Sequence, residues 1–478
     1  MSLLDIIIFV VYAIIVFGVG FYFYHKNKTV DDYYVAGRSV GHWHIGLSVV
    51  ATDVGGGFSI GLGGLGFAMG IAGSWLLFTG LIGAWLAIVF LIPKVYELPQ
   101  LKTYSTLPQI YEFFYDKKVA LIAGVITTLG YLGFTSAQIV AGAKLASGTF
   151  VDLSFEYAVI IMGVTAVGYT ILGGLKAVIY TDTVQWLVLM AGLLFAGLPY
   201  AYYAVGGWEA IYATLPPTYF DLAQVSWKQL INWAVTIVPI WFVGMTLYQR
   251  IFASRGKREA QKAWFVAGLF EWPVMAFLGV TLGLLAKVAL EQGVFEEVGI
   301  AAGATIDAEL GLPILLRTVL PAGLMGLVLA AYFSAVMSTA DSCLMASSGS
   351  LLTDILGFKS AGDEMDQRSL RYSQLSTLAL GVIALVIALY LQSVLDAMLF
   401  SYAFMVSGLF VPIVGAFYWK RASATGALVA MILGGATTLL LSLSEIELYG
   451  FDPNLYGILV AFVAFVLLGK KKKNGTND

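Results

Sequence analysis

Long apolar runs separated by short polar segments dominate the chain from end to end. About 20 residues at 1.5 Å each cross a hydrocarbon core of about 30 Å, so every apolar run of about 18 residues or more predicts a transmembrane helix. About thirteen spans are expected, over 3–24, 43–71, 73–96, 118–148, 155–173, 182–205, 229–250, 262–289, 317–351, 371–391, 396–419, 422–443 and 454–469. The pattern predicts an all-α integral membrane protein, one transmembrane domain over 1–478. No basic residue precedes the first span, and His25, Lys26 and Lys28 follow it. It therefore reads as a retained helix with its N-terminus outside, not a cleaved signal.

The spans group as one, five, five and two. Because five is odd, the second group of five enters the membrane from the opposite side, which is the arithmetic of an inverted repeat. The first repeat is expected over about 43–205 and the second over about 229–419, with peripheral helices at 3–24, 422–443 and 454–469. Both repeats open on an interrupted helix. The first contains ATDVGGGFSIG at 51–61, where each glycine weakens a helix by about 1 kcal/mol. The second contains VPIWFVG at 238–244, where Pro239 removes a backbone donor. Paired breaks point to a midplane site lined by freed carbonyls and helix ends.

Composition agrees with the pattern: 59% of residues are hydrophobic, 12% are charged, and the mean hydropathy is +0.86. Charge sets the topology. Alternate connections, beginning at residue 25 and ending with Lys470 to Lys473, hold 22 of the 26 lysines and arginines; only Lys144, Lys228, Lys287 and Arg317 fall elsewhere. That bias makes those connections cytoplasmic and places the C-terminus inside a plasma membrane of the bacterial inner-membrane kind. The net charge of −3 gives no sign of a nucleic-acid partner. Cys343 is the single cysteine, so no disulfide framework exists, and His25, His42 and His44 sit together at one cytoplasmic entry. A histidine metalloenzyme or a serine–histidine hydrolase would lack its base in the core, so no enzyme is expected. GLGGLG at 61–66 resembles a dinucleotide fingerprint but lies within a span and follows no strand, which favours a packing role. No Walker A pattern occurs, which argues against drive by ATP.

One span carries chemistry. Within SAVMSTADSCLMASS, Ala335, Ser338, Thr339 and Ser342 fall on one helix face at 100° per residue, with Asp341 on its flank. Grouped oxygens suit a small hard cation, while small hydroxylated residues equally let helices pack closely in lipid. The intramembrane acids are Asp53 in the first break, Asp182 at a cytoplasmic helix start, Glu271 beside Trp272 and Pro273, and Asp341. Each costs a few kcal/mol to bury and is a functional candidate by default. Asp182 in YTDTVQ reads equally well as a helix cap.

At DDYYVAGRSVGHWHIGLSVVATD, LGGLKAVIYTDTVQ, YQRIFASRGKREAQKA and AAYFSAVMSTADS the chain resembles the sodium/solute symporter family, nearest to its proline and choline carriers. The resemblance covers nearly the whole chain. It implies a LeuT-like core of two inverted five-helix repeats, one helix before and two after, and uptake of a small organic solute driven by sodium. It further implies a sodium site of backbone carbonyls from Ala51, Val54 and Ala335 with the hydroxyls of Ser338 and Thr339. A second ion would sit at Asp182 with Asp341 and Ser342, Asp341 standing where some relatives carry serine. The expected solute pocket joins Asp53, Gly55, Gly56, Gly57 and Phe58 with Trp75, Phe78, Tyr131, Phe134, Trp241, Phe242 and Phe404. Aromatic walls suit a pyrrolidine or an organic cation, through cation–π attraction of about 0.5–2 kcal/mol. A proline-, betaine- or choline-like solute is expected, with monocarboxylates and sugars as alternatives. The partners implied are sodium, the solute and the bilayer, with monomer and oligomer both open. A sensor would need a signalling domain; a passive channel would show no coupling to sodium.

Overall fold

The computed structural model describes residues 2–26, 35–53, 56–99, 101–150, 153–358, 367–444 and 448–469. Helices carry the chain throughout, and no strand forms among the described residues. In chain order the principal helices are α1 (Leu3–Lys26), α2 (His42–Asp53), α3 (Gly56–Met69), α4 (Trp75–Leu86), α5 (Lys117–Thr149) and α6 (Phe155–Gly192). There follow α7 (Trp227–Val243), α8 (Met245–Ala253), α9 (Lys257–Leu269), α10 (Ala276–Glu291), α11 (Ala308–Val319) and α12 (Leu324–Ser350). The last are α13 (Gln367–Ala388), α14 (Val394–Tyr418), α15 (Ala424–Leu443) and α16 (Pro453–Leu467). Among the described residues, 8 helical stretches are long and apolar enough to cross a membrane, or 9 with the bent pair α7 and α8. Three shorter apolar helices, Leu3–Ile15, Phe155–Ile171 and Pro453–Leu467, add to these.

Large apolar side chains face outward, Ile14 at 64% exposure, Phe195 at 75% and Leu467 at 76%. Such faces suit contact with lipid. The most enclosed span candidate is α12, which packs on α5 and α6.

Of the two expected interruptions, the first falls at residues 54 and 55, which lie outside the described residues, between α2 and α3. In the second, Pro239 sits inside α7 without ending it, and the bend of 40° comes at Gly244. Proline removes one donor, which one helix interior tolerates; Gly244, extended at φ −65° and ψ 110°, ends the helical dihedrals. The carbonyl of Phe242 is satisfied by the Tyr248 hydroxyl at 2.9 Å.

Two expected boundaries also move. The run at 317–351 is divided by the turn at Leu320 to Gly323, where Gly323 adopts φ 88°, so its span begins at Leu324. Helical structure is continuous from Phe155 to Gly192, across two expected spans. Yet Thr170 bonds Asp341 and Asp182 bonds Ser338, both within one turn of α12, although twelve residues separate Thr170 from Asp182. A straight helix would separate these residues by about 18 Å, beyond the reach of the two side chains. The chain therefore reverses direction between them.

Candidate functional site

The hydroxyl stripe of α12 meets two different neighbours. The Thr339 hydroxyl lies 3.1 Å from the Ala51 carbonyl at the end of α2 and 3.1 Å from the Ala335 carbonyl of its own helix. Two carbonyls and a hydroxyl thus converge beside the first break. Ser338, one residue earlier, instead donates to Asp182 Oδ1 on α6. Of the five residues expected at the sodium site, Ala51, Ala335 and Thr339 come together, Ser338 is engaged with Asp182, and Val54 lies outside the described residues.

Asp182 is fully buried, and a group absent from the expected sites holds it. Arg250, on α8 just past the second break, is 0% exposed and places Nη2 at 3.3 Å from Asp182 Oδ2. The same nitrogen donates to Thr52 Oγ1 at 2.6 Å and to Ser342 Oγ at 3.0 Å, while Nε donates to Ser48 Oγ at 3.1 Å. Ser48 in turn donates to Asp182 Oδ2 at 2.5 Å, and Nη1 donates to the Thr246 carbonyl at 3.2 Å. One guanidinium therefore links α2, α6, α8 and α12. By hydropathy Arg250 counts as a cytoplasmic loop charge. The signal that identifies it otherwise is its place at the end of a predicted span, where a cation needs a partner.

Asp341, expected with Asp182 and Ser342 at a second ion, points elsewhere. It is 0% exposed and accepts from Thr170 on α6, and its Oδ2 has no hydrogen-bond partner among the described residues. Glu271 is also fully buried, against Gly80 of α4 where a Cβ would collide with it.

The expected solute pocket separates into groups. Gly57 faces the Gln138 amide on α5 so closely that a Cβ would run into it. Gln138 is 0% exposed; Nε2 reaches Met398 Sδ at 3.5 Å, and Oε1 has no partner among the described residues. Tyr131, about two turns of α5 away, bonds Thr246 at the second break, with hydroxyls 3.1 Å apart. Phe134 stacks on Tyr402 at 4.7 Å, and Phe242 meets Phe410 edge-on at 5.8 Å. Trp75 and Phe78 belong to a separate cluster with Trp272, and the Trp75 indole donates to the Leu222 carbonyl at 2.9 Å. Two aromatics are turned to other helices. Trp241 fits against Gly83 of α4 and Trp264 of α9, and Phe404 lies against Gly435 of α15. The side chains of Asp53 and Phe58, the surroundings of Gly56, and Gly55 altogether lie outside the described residues.

The sodium:solute symporter family model matches residues 33–434. Among curated relatives, a sodium/glucose cotransporter of Vibrio parahaemolyticus is 26% identical over 97% of this chain and 89% of its own. The high-affinity proline transporter PutP of Bacillus subtilis is 25% identical over 94% and 93%. A sodium/pantothenate symporter of Escherichia coli is 25% identical over 98% and 96%. Near-equal identities to glucose, proline and pantothenate carriers leave the solute unchosen. A solved Na+-coupled sialic acid symporter, in a substrate-bound outward-open state, shares the fold with a TM-score of 0.78 and 22% identity over 98% of this chain and 97% of that one. These relatives are transporters, and a model matching most of the chain is sufficient: the protein belongs to the sodium:solute symporter family, with sodium as its coupling ion.

Proposed function

We propose that the chain carries one sodium ion with each solute, held between the end of α2 and the stripe of α12, and that the solute is a small zwitterion bearing an N–H group. The convergence of Thr339 Oγ1 on the Ala51 and Ala335 carbonyls carries the ion assignment. Hard oxygens from two helices, beside a break, suit a dehydrated cation. Arg250 argues for a single ion: its guanidinium already supplies positive charge to Asp182 and Ser342, where a second ion would be held. Gln138 argues for the solute, since a buried amide oxygen without a partner is an acceptor aimed at the first break, and a secondary or primary ammonium would satisfy it.

An inverted five-plus-five core within about thirteen spans is supported by two pairs of features. The second group's first member, α7 with α8, is bent at Gly244, and the first group's carries the glycine run at the matching place in the sequence. Both second members contain a wide turn of π type, Ala87–Leu91 after α4 and Phe270–Met275 between α9 and α10. The basic-residue bias supports a cytoplasmic C-terminus; the buried Arg250 and Lys144 drop out, one from each side of the tally, and leave it intact.

The test is a thermal-shift screen of purified protein against amino acids, betaines, carboxylates and sugars, with and without sodium. Sodium-dependent stabilisation by an N–H zwitterion is expected, and a response to sugars alone overturns the solute assignment. Thr339→Ala should raise the sodium concentration for half-maximal uptake, and Gln138→Ala should weaken solute by about 1–3 kcal/mol while leaving sodium binding alone nearly unchanged. Sodium and solute should tighten each other by the same factor. A reversal-potential stoichiometry of two sodium ions per solute refutes the single-ion reading.

A further inference from the structure

We propose that α1 and the helix ends beside it form a binding site for one phospholipid with a primary-amine headgroup, phosphatidylethanolamine. A cavity of about 790 Å³ lies between α1, the C-terminal end of α5, α6 and α12, within the usual range for small-molecule sites of about 300–1,000 Å³. Phe9, Leu145, Phe150, Ile161 and Phe333 make its walls apolar. Ile161 is 52% exposed and Phe150 37%, so the cavity opens sideways, on the face that meets lipid tails. Its two threonines offer no polar handle. Thr149 donates to the Leu145 carbonyl at 2.7 Å and Thr165 to the Ile161 carbonyl at 2.6 Å, each within its own helix.

Polarity enters at one end only. Arg317 of α11 lines this cavity and also an adjoining polar one of about 310 Å³, which Ser2, Asp5 and Glu297 share. No ion pair forms at Arg317 among the described residues, although a guanidinium fork fits a phosphate bidentately. Asp5 is already saturated: Oδ1 accepts from the Gly323 and Gly326 amides at 2.7 and 2.9 Å, and Oδ2 from the Ser2 amide and hydroxyl at 2.9 and 2.7 Å. Glu297 is exposed and lines the same polar cavity as Arg317, where its carboxylate can accept from a headgroup ammonium. The sequence of chemistries is apolar chamber, then cation, then anion. That is the order of acyl tail, phosphate and ammonium in phosphatidylethanolamine. Phosphatidylglycerol would satisfy Arg317 but bring no cation to Glu297, and phosphatidylcholine brings a cation without N–H donors.

The test uses full-length protein stripped of copurifying lipid and incubated with equimolar phosphatidylethanolamine, phosphatidylglycerol and phosphatidylcholine of matched chains, read by native mass spectrometry. Wild type should retain one phosphatidylethanolamine with about tenfold preference, the size of one charge-assisted hydrogen bond. Arg317→Gln should lower that retention about tenfold, and Glu297→Gln should bring phosphatidylethanolamine down to the level of phosphatidylcholine. Ala146→Phe fills the chamber without touching either charge and should reduce all three lipids. Equal retention by wild type and Arg317→Gln overturns the site, as does a wild-type preference for phosphatidylglycerol. Should Arg317→Gln fail to fold, undiminished retention by Ala146→Phe overturns it instead.

Discussion

Arg250 and Lys144 are both sealed basic side chains, yet Arg250 spends its donors on three hydroxyls, a carbonyl and one carboxylate, whereas Lys144 sits between two carboxylates. Lys144 Nζ lies 2.5 Å from Asp307 and 2.6 Å from Glu309, at the end of α5 away from Arg250. Glu309 also accepts from the Val394 and Leu395 amides, both at 2.9 Å, at the start of α14. The two clusters balance charge differently. Around Arg250 one cation meets one anion, and hydroxyls complete the shell. Around Lys144 two anions meet one cation, and the N-terminus of α14 supplies a further partial positive charge, roughly half a unit. Hydroxyls can donate or accept, so the Arg250 cluster can re-form its bonds when α2, α6, α8 and α12 shift against one another. The Lys144 cluster is held by fixed amides and is suited to joining α5, α11 and α14.

The largest effect should come from breaking the fully buried pair. Arg250→Ala leaves Asp182 charged at 0% exposure with only the Ser48 and Ser338 hydroxyls and no cation, a loss of about 3–5 kcal/mol that thermal unfolding would register. The double variant Arg250→Met with Asp182→Leu should regain most of that stability and still fail to transport, because apolar replacements of a buried ion pair cost little. A double variant as unstable as the single one would refute the charge-imbalance account.

Glu309→Ala should cost about 2–3 kcal/mol, since it removes one partner of Lys144 and two caps of α14 together. Asp307 still neutralises Lys144, which keeps this loss below that of Arg250→Ala. Glu309→Gln, which preserves an acceptor for the caps, should fall between wild type and Glu309→Ala in melting temperature. Equal melting of both variants would show that the caps contribute nothing. Thr170→Val should cost about 1–3 kcal/mol by stripping Asp341 of its remaining partner among the described residues. The smallest effect is expected for Asp307→Asn, because that side chain is 43% exposed and water replaces much of the ion pair. Less than about 1 kcal/mol should be lost, and a change matching Glu309→Ala would remove the distinction between the two carboxylates.

Residue type and spacing alone determined the membrane class and the hydroxyl stripe, because those properties depend on the order of residues along one helix. A glycine run at 55–57 weakens any helix that contains it, whatever lies nearby. Tertiary structure decided the partners. Ser338 and Thr339 are neighbours on one stripe, yet one bonds α6 and the other α2, since periodicity fixes a face and not the helix that covers it. The same limit explains why Trp241 and Phe404, attractive as pocket walls by composition, are turned toward Gly83 and Gly435. Charge by position in a loop likewise missed Arg250, whose side chain reaches back into the bundle to a carboxylate 68 residues away in sequence. Only the packing of four helices brings those groups together, and the cost of an unpaired buried charge makes their meeting obligatory.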